Sequence, residues 1–289
     1  MWKRKRGRAL VVFTFHQVSP TFDPRFQHEA TWTRLDHFEQ QLDFIKDYFK
    51  VLPLPEAMAL WKRNDLRGMF AAITFDDGDI TVRDHIVPAL SKRGLPGTFF
   101  VNSAHGQGKG YYWFPVMNYL ANAPDPATRA KLTPELKEKA GKLRRADDAA
   151  FYEQTRREVE ALSPLVDDSS PMLVDRDYLA TLDEEQFTVG LHGHEHQRFA
   201  LMPPQWQMEN LQKNIEALRE IKAYRPIFAI PFGRPMDWDM TVLHAALHLN
   251  LDLVSSNGGI NFQRDVHLLR LPSDGRDVKA EFNREIVGW

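Results

Sequence analysis

Two short polar signatures, Thr74-Phe75-Asp76-Asp77-Gly78 and His192-Gly193-His194-Glu195-His196, carry residue types that hold a metal and move protons. One carboxylate with two imidazoles is the donor set of a catalytic zinc-type centre, which keeps a further position open. Asp77, His192 and His196 meet that count, and the cofactor they imply is one divalent metal ion, zinc by preference. The His-x-x-x-His spacing brings both rings to one face if the segment turns helically. Asp76 is left over beside the metal, the natural general base. His194 would replace one ligand in a shifted register, but its spacing from His192 suits a strand better than a turn, which leaves it a supporting or structural role. Alone, an Asp-Asp-Gly is more often a turn, and an isolated His pair is more often incidental. The weight comes from their joint occurrence, each directly after an apolar run.

Those runs are Met69-Phe70-Ala71-Ala72-Ile73 and Phe187-Thr188-Val189-Gly190-Leu191. Both signatures therefore belong at the C-terminal ends of strands, where α/β folds keep their chemistry. Further strands are expected at 9–16, 97–102, 227–232 and 252–255, with a short apolar run at 267–271. Helices are expected at 33–49, where Leu35, Phe38, Leu42, Ile45 and Phe49 recur at helical spacing, in a short segment through 61, and at 80–92 with Gly94 as cap. Two more are expected at 205–222 and 239–249. This alternation predicts βαβ units and a parallel sheet of roughly seven strands, closed or nearly closed into a barrel. Residues 106–175 break the pattern with a Gly-rich turn, the aromatic Tyr111-Tyr112-Trp113-Phe114 and a charged helical stretch at 128–162. They read as a helical insertion forming a lid or wall over the site, within one catalytic domain spanning 1–289. Trp113 is a candidate to stack on a bound substrate, although core packing is the commoner use of such a residue.

The bulk properties fit an enzyme of this kind. With 289 residues and 43% hydrophobic content the chain can bury a full core, and a net charge of −2 gives no general attraction to nucleic acid. The one basic cluster, Lys3-Arg4-Lys5-Arg6-Gly7-Arg8, reads as a solvated tail. The apolar part of 9–16 is too short for a secretory signal, and no run approaches the ~18 apolar residues of a membrane span, so the expected location is cytoplasmic. The absence of cysteine excludes disulfides and thiolate ligands or nucleophiles.

The first signature matches the first motif of the polysaccharide deacetylase family (the NodB homology domain, carbohydrate esterase family 4), and Gly190-Leu191-His192-Gly193-His194-Glu195-His196 resembles the second. Phe228-Ala229-Ile230-Pro231-Phe232-Gly233 resembles the third in an arginine-less form. Phe13-Thr14-Phe15-His16-Gln17-Val18 is similar to the opening of the exopolysaccharide branch, and Leu95-Pro96-Gly97-Thr98-Phe99-Phe100 resembles the strand after the first motif. The resemblance covers essentially 9–272. It implies an α/β fold of the distorted (β/α)7 barrel type, with Asp77, His192 and His196 as metal ligands and Asp76 as general base. The backbone N–H at Phe232 would face the oxyanion.

Two features depart from the family pattern, the third-motif arginine and the late histidine that usually serves as acid. Ala229 stands where many members carry an arginine that steadies the catalytic Asp, and Arg270 in Leu269-Arg270-Leu271-Pro272 is the candidate to fill that role. With Trp113 and Pro231, Arg270 is also a candidate substrate contact. The general acid is expected to be His16, which ends a strand, with His267 as the alternative. The implied reaction removes an N-acetyl or similar acyl group from an amino sugar of a surface polysaccharide or its lipid- or nucleotide-linked precursor. Hydrolysis of a formyl group or another linear amide, or a catalytically silent carbohydrate-binding homologue, are the other readings.

Overall fold

The protein is described by a computed structural model covering residues 8–104, 110–167, 172–255, 259–261, 265, 267–277, 279 and 280. Residues 3–7 of the basic cluster, His105 and the Gly-rich turn at 106–109 lie outside these residues, while Arg8 opens the first strand.

In chain order the strands are β1 (Arg8–Phe15), β2 (Gln17–Ser19), β3 (Trp32–Arg34), β4 (Lys50–Val51), β5 (Gly68–Phe75), β6 (Gly97–Val101), β7 (Phe187–Leu191), β8 (Tyr224–Ala229), β9 (Asp252–Ser255), β10 (Leu268–Leu269) and β11 (Leu271–Pro272). The main sheet runs β10-β9-β8-β7-β6-β5-β1-β11, with β4 also on β5. All of its pairings are parallel. Arg270 alone separates β10 on one edge from β11 on the other. The run 268–272 therefore bridges both edges and closes the sheet as the seventh stave of the expected distorted (β/α)7 barrel. Strands covered on both faces read as continuous apolar runs, as β1 does: Ala9 through Phe13 are all fully buried.

Strand alternation divides those side chains between two cores. Leu10, Val12, Phe70, Ala72, Phe100 and Val254 share the cluster inside the barrel. Val11, Phe13, Phe15, Ile73 and Phe75 point outward under the helices. The helix Leu35–Tyr48 buries Phe38, Leu42 and Ile45 on that outer layer, and the Phe38 ring meets Phe15 edge-on at 5.1 Å. The spacing of these residues made that helix legible.

Several expected elements change their bounds for identifiable reasons. The 80–92 helix opens with a π-turn, Val82–Ile86, and continues as Val87–Arg93, because Pro88 has no N–H to give an α-type bond to the preceding turn. It ends at Gly94 with φ 63, the left-handed cap its position predicts. The strand expected at 227–232 runs Tyr224–Ala229 and stops before a tight turn at Pro231-Phe232-Gly233. The charged stretch at 128–162 is several helices, chiefly Pro126–Lys131, Pro134–Lys142 and Ala149–Glu160. Each is started by a capping side chain: Asp125, Thr133 and Asp148. The loop after β1 holds an additional two-stranded parallel pair, β2 with β3.

The insertion builds its own apolar cluster around Trp113, Val116, Leu120, Leu143, Tyr152 and Val159. Phe232 and Met202 from the barrel side pack on it. Among the described residues no helix is long and apolar enough to cross a membrane.

Candidate active site

The alternation that sends Leu10 and Val12 into the barrel carries Thr14 and then His16 to the same inner face, and on β5 it carries Thr74 and then Asp76. Strands β1 and β5 pair in unbroken register from Arg8↔Gly68 to Phe15↔Phe75, so His16 and Asp76 are the next residues in step. The ladder continues there, Asp76 N–H donating to Phe15 O at 3.0 Å. The barrel interior thus grades from aliphatic layers, through the bonded hydroxyls of Thr14 and Thr74 (3.2 Å), to titratable groups at the C-terminal mouth.

Asp77, His192 and His196 converge at that mouth. Asp77 Oδ1 lies 3.3 Å from His192 Nε2 and 3.1 Å from His196 Nε2. Each residue offers a ligand atom within 4.8 Å of the others. The His192 Nδ1–H donates to Ala229 O at 2.8 Å, which fixes the tautomer and leaves Nε2 with its lone pair toward Asp77. Asp77 Oδ1 is buried and accepts no hydrogen bond. Three acceptor atoms facing one point fit a bound cation, which is how such a cluster is satisfied. Burial lowers the His196 pKa against the pull of Asp77, which keeps that ring neutral and its nitrogen able to bind a cation.

The two histidines do not meet by a helical turn. Residues 192–196 form a loop, with Gly193 at φ 77 and His196 at φ 48. Asp77 at φ 72 and Phe232 at φ 60 are left-handed as well. Non-glycine residues in this region store strain and gather where geometry is imposed by function. The His196 ring is clamped by Tyr112 stacked at 5.1 Å and by the edges of Phe114 (5.1 Å) and Phe232 (4.9 Å).

Asp76 is 2% exposed, and its charge is met from within the barrel. Arg270 Nη1 donates to Oδ1 at 2.6 Å and Nη2 to Oδ2 at 2.7 Å, a two-pronged pair. Burial alone would raise the Asp76 pKa; Arg270 and the neighbouring imidazoles hold it below its ordinary value. His16 Nε2 and His192 Nε2 each stand 3.9 Å from Asp76 Oδ2. The other face of His16 is fixed by Asp274, which accepts from the His16 backbone N–H (2.7 Å) and from Nδ1 (2.6 Å). Burial disfavours the His16 cation, but the Asp274 carboxylate outweighs it and lifts the pKa to about 10.

A cleft of about 240 Å³ above these groups is lined by His16, Asp76, Asp77, His192, His196, Phe232 and Asp274, with Phe114, Arg144 and Arg234. The remaining sequence candidates fall elsewhere. His267 packs edge-on against Trp238 at 5.1 Å, away from the lining. His194 turns inward to Ser103 Oγ (2.9 Å), and its N–H donates to Asn210 (2.7 Å), so it braces the loop. Trp113 is 2% exposed inside the insertion, and its neighbour Phe114 lines the cleft in its stead. Pro231 is buried, its carbonyl accepting from Gly233 N–H at 2.7 Å to form the turn that presents Phe232. Arg270 is fully buried, with both terminal nitrogens of its guanidinium bonded to Asp76. Asp274, Tyr112, Arg144 and Arg234 were missed. Asp274 arrives from a late loop four residues after Arg270 and Arg144 from the insertion, with no motif around either, whereas Arg234 directly follows Pro231-Phe232-Gly233 and Tyr112 stands in the aromatic run, signals that could have found them.

Comparison with known proteins fits this architecture. Residues 63–254 match the polysaccharide deacetylase family. Solved structures of similar fold include the Streptococcus pyogenes deacetylase PplD in complex with acetate, at 15% identity and TM-score 0.67 over 97% of this chain and 99% of that one. A de-N-acetylase from Aggregatibacter actinomycetemcomitans shares 13% identity at TM-score 0.61 over 95% and 99% of the two chains. IcaB from Ammonifex degensii shares 18% at TM-score 0.59 over 98% and 97%. No curated protein matches the chain in sequence. With the family matched over more than half its length and the barrel in place, the chain belongs to the polysaccharide deacetylases, which are hydrolytic enzymes.

Proposed function

We propose that the protein is a metal-dependent hydrolase that removes an N-acetyl group from an amino sugar within a polysaccharide or its precursor. The observation that carries this reading is the pairing of two sites: a three-acceptor cluster of Asp77, His192 and His196, and beside it an Asp76 carboxylate held by Arg270 with its Oδ2 3.9 Å from His16. A divalent ion held by those three residues would supply Lewis-acid polarisation of the acyl carbonyl and acidify the attacking water.

The chain's own groups do the rest. Asp76, kept ionised by Arg270, takes the proton from the water. His16, protonated at neutral pH because of Asp274, delivers a proton to the departing amine nitrogen. The backbone N–H at Phe232, in its left-handed turn, is assigned to the developing oxyanion. Phe114 and Phe232 wall the cleft and limit its water.

The test is acetate release from acetylated glucosamine oligomers by metal-stripped protein, with and without added Zn²⁺, Co²⁺ or Mn²⁺. Activity is expected to depend on the ion, and to vanish in Asp76→Asn while bound metal is retained. Full activity in Asp77→Ala or His192→Ala would sink the ligand assignment, and formate release from a formylated sugar in preference to acetate would move the reading to a deformylase.

A further inference from the structure

One wall of the cleft is built by arginines that outnumber the carboxylates paired with them among the described residues. Arg144 lies in the short turn Leu143–Arg145 of the insertion, and Arg234 directly follows the turn at Phe232; both line the cleft with Asp77 and His16. Behind them Arg198, 1% exposed, shares a single carboxylate with Arg234. Asp237 accepts from Arg198 Nε at 2.9 Å and from Arg234 Nε and Nη2 at 2.8 and 2.9 Å. The same two arginines pin the turn that carries Arg144. Arg234 Nη2 donates to Arg144 O at 2.5 Å, and Arg198 Nη1 donates to Ala146 O.

Among the described residues no carboxylate lies within ion-pair distance of the Arg144 guanidinium. Three guanidiniums against one carboxylate leave a surplus of two positive charges on this wall, in a chain whose net charge is −2. The surplus is therefore local. Arg144 is half-buried and near enough to Asp77 and Arg234 to feel both charges. A guanidinium partly withdrawn from water without an anion is unfavourable, and its backbone is held in place in advance. That combination suits a planar fork awaiting an oxyanion.

Resting on the deacetylase reading above, we propose that the saccharide entering this cleft carries an anionic group, a phosphate or a carboxylate, close to its acylated amine, and that Arg144 receives it. The arginine wall then sets substrate class: it favours charged saccharides over neutral ones, while the groups around Asp76 perform the hydrolysis.

The experiment compares kcat/KM for acetate release from three probes: a neutral N-acetylglucosamine oligomer, a nucleoside-diphosphate-linked N-acetylglucosamine, and a disaccharide of N-acetylhexosamine with a uronic acid. The wild-type protein is expected to prefer at least one charged probe over the neutral one, and which one identifies phosphate or carboxylate as the anion. Arg144→Ala should lower the charged-to-neutral ratio roughly 10- to 100-fold, the scale of a lost charge-assisted bond. Arg144→Lys should recover part of it, and added salt should weaken the preference. Equal rates on all probes in the wild type, or an equal loss on all probes in Arg144→Ala, would overturn the proposal. Equilibrium binding separates it from the deacetylase reading. If no probe is turned over, yet the charged one binds wild-type protein and not a folded Arg144→Ala, the anion site stands and the deacetylase reading falls.

Discussion

Arg270 and Asp76 meet fork to fork inside the barrel, Nη1 to Oδ1 at 2.6 Å and Nη2 to Oδ2 at 2.7 Å. Arg270 is the residue that joins β10 to β11, so the stave that closes the barrel also supplies the cation that holds the base. Ala229 stands on β8, where many family members place that arginine, and its carbonyl instead orients His192.

Replacing Arg270 should therefore damage folding and chemistry together. Arg270→Met leaves a buried carboxylate without its partner, a loss of about 3–5 kcal/mol of stability, read by chemical unfolding. Arg270→Lys keeps the charge but not the two-pronged geometry, and kcat should fall ~10- to 100-fold with KM nearly unchanged. Unchanged kcat in Arg270→Lys would show that Asp76 needs charge alone.

The His16–Asp274 pair predicts a pH signature. An acid works while protonated, so activity should decline as pH rises through the His16 pKa of about 10. Asp274→Asn removes the group that raises this pKa, so the alkaline limb of kcat against pH should move downward and kcat at pH 8 should drop ~10-fold or more. A limb that stays in place would exclude His16 as the acid.

Gly193 ties metal geometry to one backbone angle. It sits at φ 77, and a Cβ there would come within 3.1 Å of Asn210 Oδ1 and 3.3 Å of the Phe199 ring. Gly193→Ala should cost about 1–2 kcal/mol and weaken Zn²⁺ binding by displacing His192, as followed by competitive metal titration. Wild-type affinity in the variant would show that the loop adapts freely.

In the insertion, burial lifts Glu160 from 4.5 to about 7 despite its ion pair with Arg156. The folded chain then holds a proton that the unfolded chain releases between those two pH values, so stability falls as pH rises from 4.5 to about 7 and is flat beyond. The contribution is on the order of 2–3 kcal/mol at most. Unfolding free energies measured at pH 5 and pH 8 should differ less in Glu160→Gln than in the wild type. An identical difference in both would assign the slope to other groups.

The sequence by itself determined the barrel strands and the chemistry of their ends. Continuous apolar runs such as Leu10-Val11-Val12-Phe13 and Ala71-Ala72-Ile73 mark strands buried on both faces, and the polar residues following them fall at the mouth because side chains alternate along each strand. Tertiary structure alone decided which distant groups meet there. Arg270 reaches Asp76 across 194 positions, and Asp274 reaches His16 across 258, because closing the sheet brings both edges together. Local spacing carries no information about which edge a late, short stave will join. The same holds for Trp113 and Phe114: composition marks both as aromatic, and only the packing of the insertion on the barrel buries one and turns the other to the cleft.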